Sequence, residues 1–216
     1  PATSDRNRCS EWQEALKIFK KVIAVDMSND LARDMLAQTF FVVDDYDNAI
    51  IHKKHLVDRN PENIEYLQDI GYIYLARYNS GGRENEKDLA AAKTSFNKVI
   101  SLDPRQSGAF HALARISLIK EDIPGALRWL DKAIDADGKL DSADFDFLFL
   151  KLQVLVFNKL DKVEQKKTLA ILNNVMVTDE ERGYTAYRFF NLAIECFKDY
   201  DFPHADSFSY FAADFA

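Results

Sequence analysis

Apolar and polar positions along the chain recur with a helical rather than a strand period. Leu67, Ile70, Gly71 and Tyr74 stand at i, i+3, i+4 and i+7, and Phe110, Leu113, Ala114 and Ser117 repeat the spacing. Arg33, Leu36, Ala37 and Phe40 follow it less cleanly. Residues so spaced share one face of an α-helix. The small residue in the middle of each set, Gly71, Ala114 or Ala37, predicts a close helix crossing, because a larger side chain there would push the backbones apart. A second apolar segment follows each set, led by Ala49, Ala92 or Ala126, and Ala15 leads a similar one upstream. The pattern predicts packed helix pairs.

The leading alanines define a period. Ala15 to Ala49 and Ala92 to Ala126 are each 34 residues apart, whereas Ala49 to Ala92 spans 43. The nine extra residues are expected as an inserted loop between paired helices at Asn79 to Lys87, a segment holding two of the chain's seven glycines. Similar strings end at Pro61 and Pro104, each twelve residues after its alanine.

The C-terminal third is degenerate but patterned. Thr178 to Glu181 has the form of a capping box that opens a helix, and Phe189, Leu192, Ala193 and Cys196 repeat the first-helix spacing. Pro124 and Pro203 each precede an alanine, Ala126 or Ala205, by two residues, which suits the first turn of a helix. A sixth pair is expected there and a fifth over Phe145 to Asn174. Residues 144–149 alternate enough to be taken for strand alone, but repeat units bury their faces only against neighbours, so helix is expected.

The first repeat is incomplete. Ser10 with Gln13 is expected to cap the helix carrying Ala15, Phe19 and Val22, and Pro1 to Asn7 is too polar to supply a partner helix. At the other end Phe208, Phe211 and Phe215 share one helical face. An aromatic face at the end of a repeat array implies either a longer natural protein trimmed at both ends or a self-association surface, a candidate homo-oligomer interface.

Leu67, Ile70, Gly71, Tyr74, Ala92, Phe96 and Pro104 in one copy, and Phe110, Leu113, Ala114, Ala126 and Ala133 in the next, resemble the tetratricopeptide repeat. The resemblance covers Ala15 to about Gly138 well, and residues 141–216 by extension. Departures include Lys53 in place of the second-helix aromatic, and Met27 and Gly138 in place of the closing proline. The resemblance implies an all-α fold of antiparallel helix pairs wound as a right-handed superhelix, an α-α solenoid, in a single domain over residues 1–216. It also implies a concave groove lined by first helices. Counted by that register, the groove residues are Asp34, Gln38 and Phe41, then Gln68, Tyr72 and Leu75, then His111, Arg115 and Leu118, with Leu31, Glu65 and Gly108 at their edges. Relatives that grip the acidic tails of heat-shock chaperones carry a Lys, Asn and Arg clamp. Asp34, Gln38, Gln68 and Tyr72 stand in its place here, so that carboxylate clamp is absent.

Composition narrows the function further. A 47% hydrophobic content supports a buried core, and 28 basic against 35 acidic residues give a net charge of −7. No basic stripe stands out, which disfavours nucleic acid. The longest apolar stretch, Phe147 to Phe157, is broken by Lys151 and Gln153 and is too short for a membrane span. Cys9 and Cys196 form neither a disulfide framework nor a zinc set. The compartment stays open between the cytoplasm and, if a targeting segment has been removed, the periplasm. Phosphate-loop, nucleophile-elbow and zinc-protease motifs do not occur, and the glycine pair at Gly81 lies in the expected insertion. His52 and His55, flanked by lysines, are a poor metal pair, and Asp44 with Asp45 or Glu180 with Glu181 suit helix ends better than acid and base work. The chain therefore reads as a non-enzymatic, cofactor-free module that binds a peptide or protein segment as an adaptor or scaffold. The other reading is a structural subunit, for example of a bacterial secretion, pilus or envelope system, that uses outer and terminal faces.

Overall fold

The structure is a computed structural model describing residues 2–81, 85–136, 145–176, 178, 179–198 and 201–215, with side chains left out at 2–10, 179, 197–198, 202–203 and 214–215. All regular structure among the described residues is α-helix. A single helix, α1 (Ala2–Val25), precedes five pairs. The first helix of each pair is α2 (Asp30–Val42), α4 (Ile64–Ser80), α6 (Ser107–Ile119), α8 (Phe145–Phe157) and α10 (Asp179–Lys198). The second is α3 (Tyr46–Arg59), α5 (Glu86–Leu102), α7 (Ile123–Asp135), α9 (Lys162–Val175) and α11 (Phe202–Phe215). Residues 145–149 are thus helical despite their alternation, because both faces of α8 are buried.

Short polar residues set the helix starts. The side chains of Asn29, Asp45, Asn63, Asp122 and Asp161 each accept a hydrogen bond from a backbone N–H of the first turn they precede, which satisfies donors that have no intrahelical partner. Thr178 and Glu181 form the expected capping box: the Thr178 N–H donates to Glu181 Oε2 at 2.9 Å, and the Glu181 N–H donates to Thr178 Oγ1 at 3.1 Å. Pro124 sits in the first turn of α7.

The pairs cross where small residues permit it. Gly71 lies under the Phe96 ring of α5, and a Cβ added there would stand 2.8 Å from Phe96 Cζ, closer than van der Waals contact allows. Ala37, Ala49, Ala92, Ala114 and Ala126 are all fully buried.

Three expectations are corrected. The insertion at Asn79 to Lys87 is not a nine-residue loop, since Asn79 and Ser80 end α4 while Glu86 and Lys87 begin α5. The extra length goes into both helices: α4 and α5 have 17 residues each, where α2 and α6 have 13 and α3 has 14. Arg77 closes that end: its Nε donates to Asp88 Oδ2 at 2.8 Å, its Nη2 to Asp88 Oδ1, and its Nη1 to Asp47 of α3. Asp88 is buried, and the forked guanidinium meets both its oxygens. Second, Ser10 does not open a helix, because α1 runs unbroken through it. Residues 2–10 are polar but contain neither glycine nor proline, so a helix begun downstream propagates through them. Third, Phe208 and Phe211 are buried in a core with Phe149, Leu152 and Phe189 rather than displayed. The Phe215 side chain lies outside the described residues.

The helices gather into two compact units, Pro1–Ala112 and Leu113–Ala216. Unit 1 has a core centred on Leu36, Phe40, Ala49 and Ile73. The core of unit 2 is built from α8 to α11 and is rich in phenylalanine rings, with Phe149 and Phe189 centroids 4.8 Å apart.

Candidate protein-binding face

In unit 1 the first helices α2 and α4 and the start of α6 carry most of the expected groove residues. Gln38, Phe41 and Tyr72 are exposed, and Gln68 and His111 are half-buried. Tyr72 is held in place: its hydroxyl donates to the Gly108 carbonyl at 3.2 Å, and its ring meets Phe96 edge-on at 5.0 Å. Gln68 Nε2 donates to Gln106 Oε1 at 3.1 Å. Leu75, expected on the same row, is buried and belongs to the core.

Asp34 has a structural partner that the spacing alone did not reveal. Lys53 of α3 occupies the slot where an aromatic ring is expected and is only 1% exposed. Its Nζ is hydrogen-bonded to Asp34 of α2 and lies 2.6 Å from Asp69 Oδ2 of α4, with the Tyr66 ring 5.3 Å away. Gln38 Nε2 donates to the other Asp34 oxygen at 2.9 Å. A buried ammonium is tolerated only when paired and hydrogen-bonded, so Asp34 is engaged behind the face, whereas Asp69 is partly open at its surface.

In unit 2 Arg115 is exposed and Leu118 half-buried on α6. The same register continued to α10 gives Tyr187, Phe190 and Ile194, which are 61%, 54% and 37% exposed. The core spacing of α10 does not by itself mark them. The signal was present, since Ala193 fixes the register as Ala37, Gly71 and Ala114 do. Beside them Arg188 lies over the Phe149 ring, 4.1 Å from its centroid, and its Nη1 donates to Asp146 at 2.7 Å.

The remaining candidates have structural roles. His52 stacks on Phe40 with centroids 5.6 Å apart, and burial lowers its pKa, helped by Arg33, so its ring favours the neutral form. His55 is exposed. Among the described residues no three metal-ligating side chains come together. Asp45 caps α3, and Asp44, in the left-handed region at φ 60°, accepts from the Tyr46 hydroxyl at 2.6 Å. Glu181 completes the capping box and Glu180 is exposed. Cys196 is buried, and the Cys9 side chain lies outside the described residues. No helix among the described residues is long and apolar enough to cross a membrane.

No protein-family model matches the chain, and no curated protein matches its sequence. Its fold does match solved structures. A tetratricopeptide repeat protein from Parabacteroides merdae superposes with a TM-score of 0.64 at 14% identity, over 98% of this chain and 75% of that one. PilF of Pseudomonas aeruginosa matches with a TM-score of 0.62 at 15% identity, over 93% and 82% of the two chains. YrrB, described as a tetratricopeptide protein with an unusual peptide-binding site, matches at 0.58 and 16% identity, over 91% of each. With its small-residue crossings, its second-helix alanines and these superpositions, the chain has the tetratricopeptide-repeat fold.

Proposed function

We propose that the chain is a protein-interaction adaptor or scaffold whose first-helix faces take a segment of another protein. The observation that carries this reading is the exposure of large apolar side chains on first helices of each unit: Phe41 and Tyr72 in unit 1, Tyr187, Phe190 and Ile194 in unit 2. Exposed aromatic side chains on a rigid scaffold are typical anchors for a partner, and the tethered hydroxyl of Tyr72 lowers the entropy lost when its ring is covered. Gln38 and Asp69 beside them supply polar contacts for a backbone or a basic residue. That YrrB has a peptide-binding site on the same fold is in keeping with this reading. The assembly reading loses its aromatic terminal stripe, because Phe208 and Phe211 belong to the core.

The test is selection of peptides from a displayed random library against wild type, Phe41→Ala and the Tyr187→Ala, Phe190→Ala double variant. Enriched peptides that bind wild type and lose roughly tenfold or more in affinity on the variants, with melting unchanged, support the reading. Peptides that bind all three equally would sink it.

A further inference from the structure

On its second-helix side, unit 2 holds a cleft of about 300 Å³ between α7, α8 and α9. Its polar lining is Asp131 and Asp135 from α7, Lys151 from α8, and Glu164, Lys167 and Thr168 from α9. Lys151 Nζ lies 2.8 Å from Asp131 Oδ1 and 2.6 Å from Glu164 Oε1. Burial pulls the Lys151 pKa down, but the hydrogen bonds to Asp131 and Glu164 outweigh it and leave it raised. Lys151 in turn holds the Glu164 carboxyl below its ordinary range. Three carboxylates therefore face two ammonium groups, and one negative charge is left over.

The second observation is Thr168. It is 1% exposed, lines the cleft, and its Oγ1 has no hydrogen-bond partner. Three other helical threonines, Thr39, Thr94 and Thr185, donate their hydroxyl to the carbonyl four residues back, at 2.7, 2.9 and 2.8 Å. Thr168 does not take that route, although an unsatisfied buried hydroxyl costs about 1 to 3 kcal/mol. Thr168 Oγ1 is thus an unpaired polar atom in the wall of the cleft.

We propose that this cleft binds a cationic head group, the ammonium or guanidinium of a partner's lysine or arginine side chain or of a free small amine. Asp131 and Asp135 neutralise it, and Thr168 Oγ1 accepts one of its N–H bonds. The surplus negative charge selects a cation over an anion, and Ile134 and Leu148 offer apolar wall to an aliphatic stem. Lys151 holds the carboxylates in place and is a positioning residue rather than a contact. The site does not rest on the first-helix faces and stands or falls independently of them.

The full chain is titrated by calorimetry with arginine amide, with its neutral analogue citrulline amide, with inorganic phosphate, and with a blocked tripeptide carrying arginine at its centre. Arginine amide is expected to saturate and citrulline amide to give no response. Thr168→Val keeps the shape without the hydroxyl and is expected to bind roughly tenfold more weakly while melting no lower than wild type. Asp131→Asn is expected to weaken binding similarly. If the tripeptide binds as well as the amide, the natural ligand is a partner's side chain; if only the amide binds, it is a free amine. The proposal is overturned if nothing saturates, if citrulline amide or phosphate binds as arginine amide does, or if Thr168→Val binds like wild type.

Discussion

The two units each bury a lysine between two carboxylates, but from opposite sides of the helix pair. In unit 1 Lys53 projects from a second helix, α3, and ties together the first helices α2 and α4 through Asp34 and Asp69. In unit 2 Lys151 projects from a first helix, α8, and ties together the second helices α7 and α9 through Asp131 and Glu164. Both put a charge-assisted hydrogen bond across three helices at a slot that apolar packing could fill in any of several rotations. Their surroundings differ. Lys53 is almost wholly enclosed, with Asp34 mostly buried beside it, whereas Asp131 and Glu164 remain in substantial contact with water. Geometry of one kind thus serves two ends: in unit 1 it closes a core, and in unit 2 it lines an open cleft.

The sharpest test of this contrast is Lys53→Met, which strands Asp34 in the interior. A loss of about 3 kcal/mol is expected, with Asp69 limiting the damage because it can return to water. Adding Asp34→Asn should recover much of it. Hydrogen exchange read separately over α3 and α8 is the suitable measurement, since a chain of two units need not unfold as one. Protection lost equally in both helices, or no loss at all, would break the distinction. Next, Gly71→Leu tests how tightly unit 1 is closed: with Phe96 already against the position, overpacking should cost about 2 kcal/mol. Unchanged melting would remove the packing argument there. The smallest effect belongs to Lys151→Met, about 1 kcal/mol, because both stranded carboxylates can be hydrated.

The unit 2 cluster also sets a pH window. Glu164 is depressed in the folded state, so its contribution is present above the ordinary carboxylate range and is lost as pH falls through its folded value. Lys151 is raised, so its contribution is present below the ordinary lysine range and is lost as pH rises through its folded value. The wild type should therefore exceed Lys151→Met most clearly near neutral pH, and the two should converge in acid. A stability difference that does not change on acidification would contradict the ion pair.

Much of the architecture was legible because it rests on local spacing. The alanine and glycine positions marked the helix crossings, and Thr178 with Glu181 and Pro124 marked helix starts, since each involves residues within one turn. What fills a slot was less legible than where the slot lies. Lys53 broke the expected aromatic pattern, and its partners at Asp34 and Asp69 are 19 and 16 residues distant. Phe208 and Phe211 read equally well as surface or core, because periodicity gives a shared face but not its direction. Ser10 looked like a cap, but a cap requires the preceding chain to leave the helix, and residues 2–10 contain nothing to make it leave. The first-helix register puts Gln38, Phe41 and Tyr72 at exposed positions, whereas Leu75 is buried and Asp34 is held by Lys53. Continued to α10, the same register finds the exposed set Tyr187, Phe190 and Ile194.

That lengthened pair carries a consequence for how such chains vary. The added residues run outward along α4 and return along α5, and the spacing from Ala92 to Ala126 is again 34 residues. Arg77 and Asp88 close the extension upon itself, and Asp47 ties it to the neighbouring pair. Sequence can therefore be spliced into the hairpin end of this unit, or removed from it, without retuning the repeats on either side, which makes it the natural port for grafting a loop or a second recognition element.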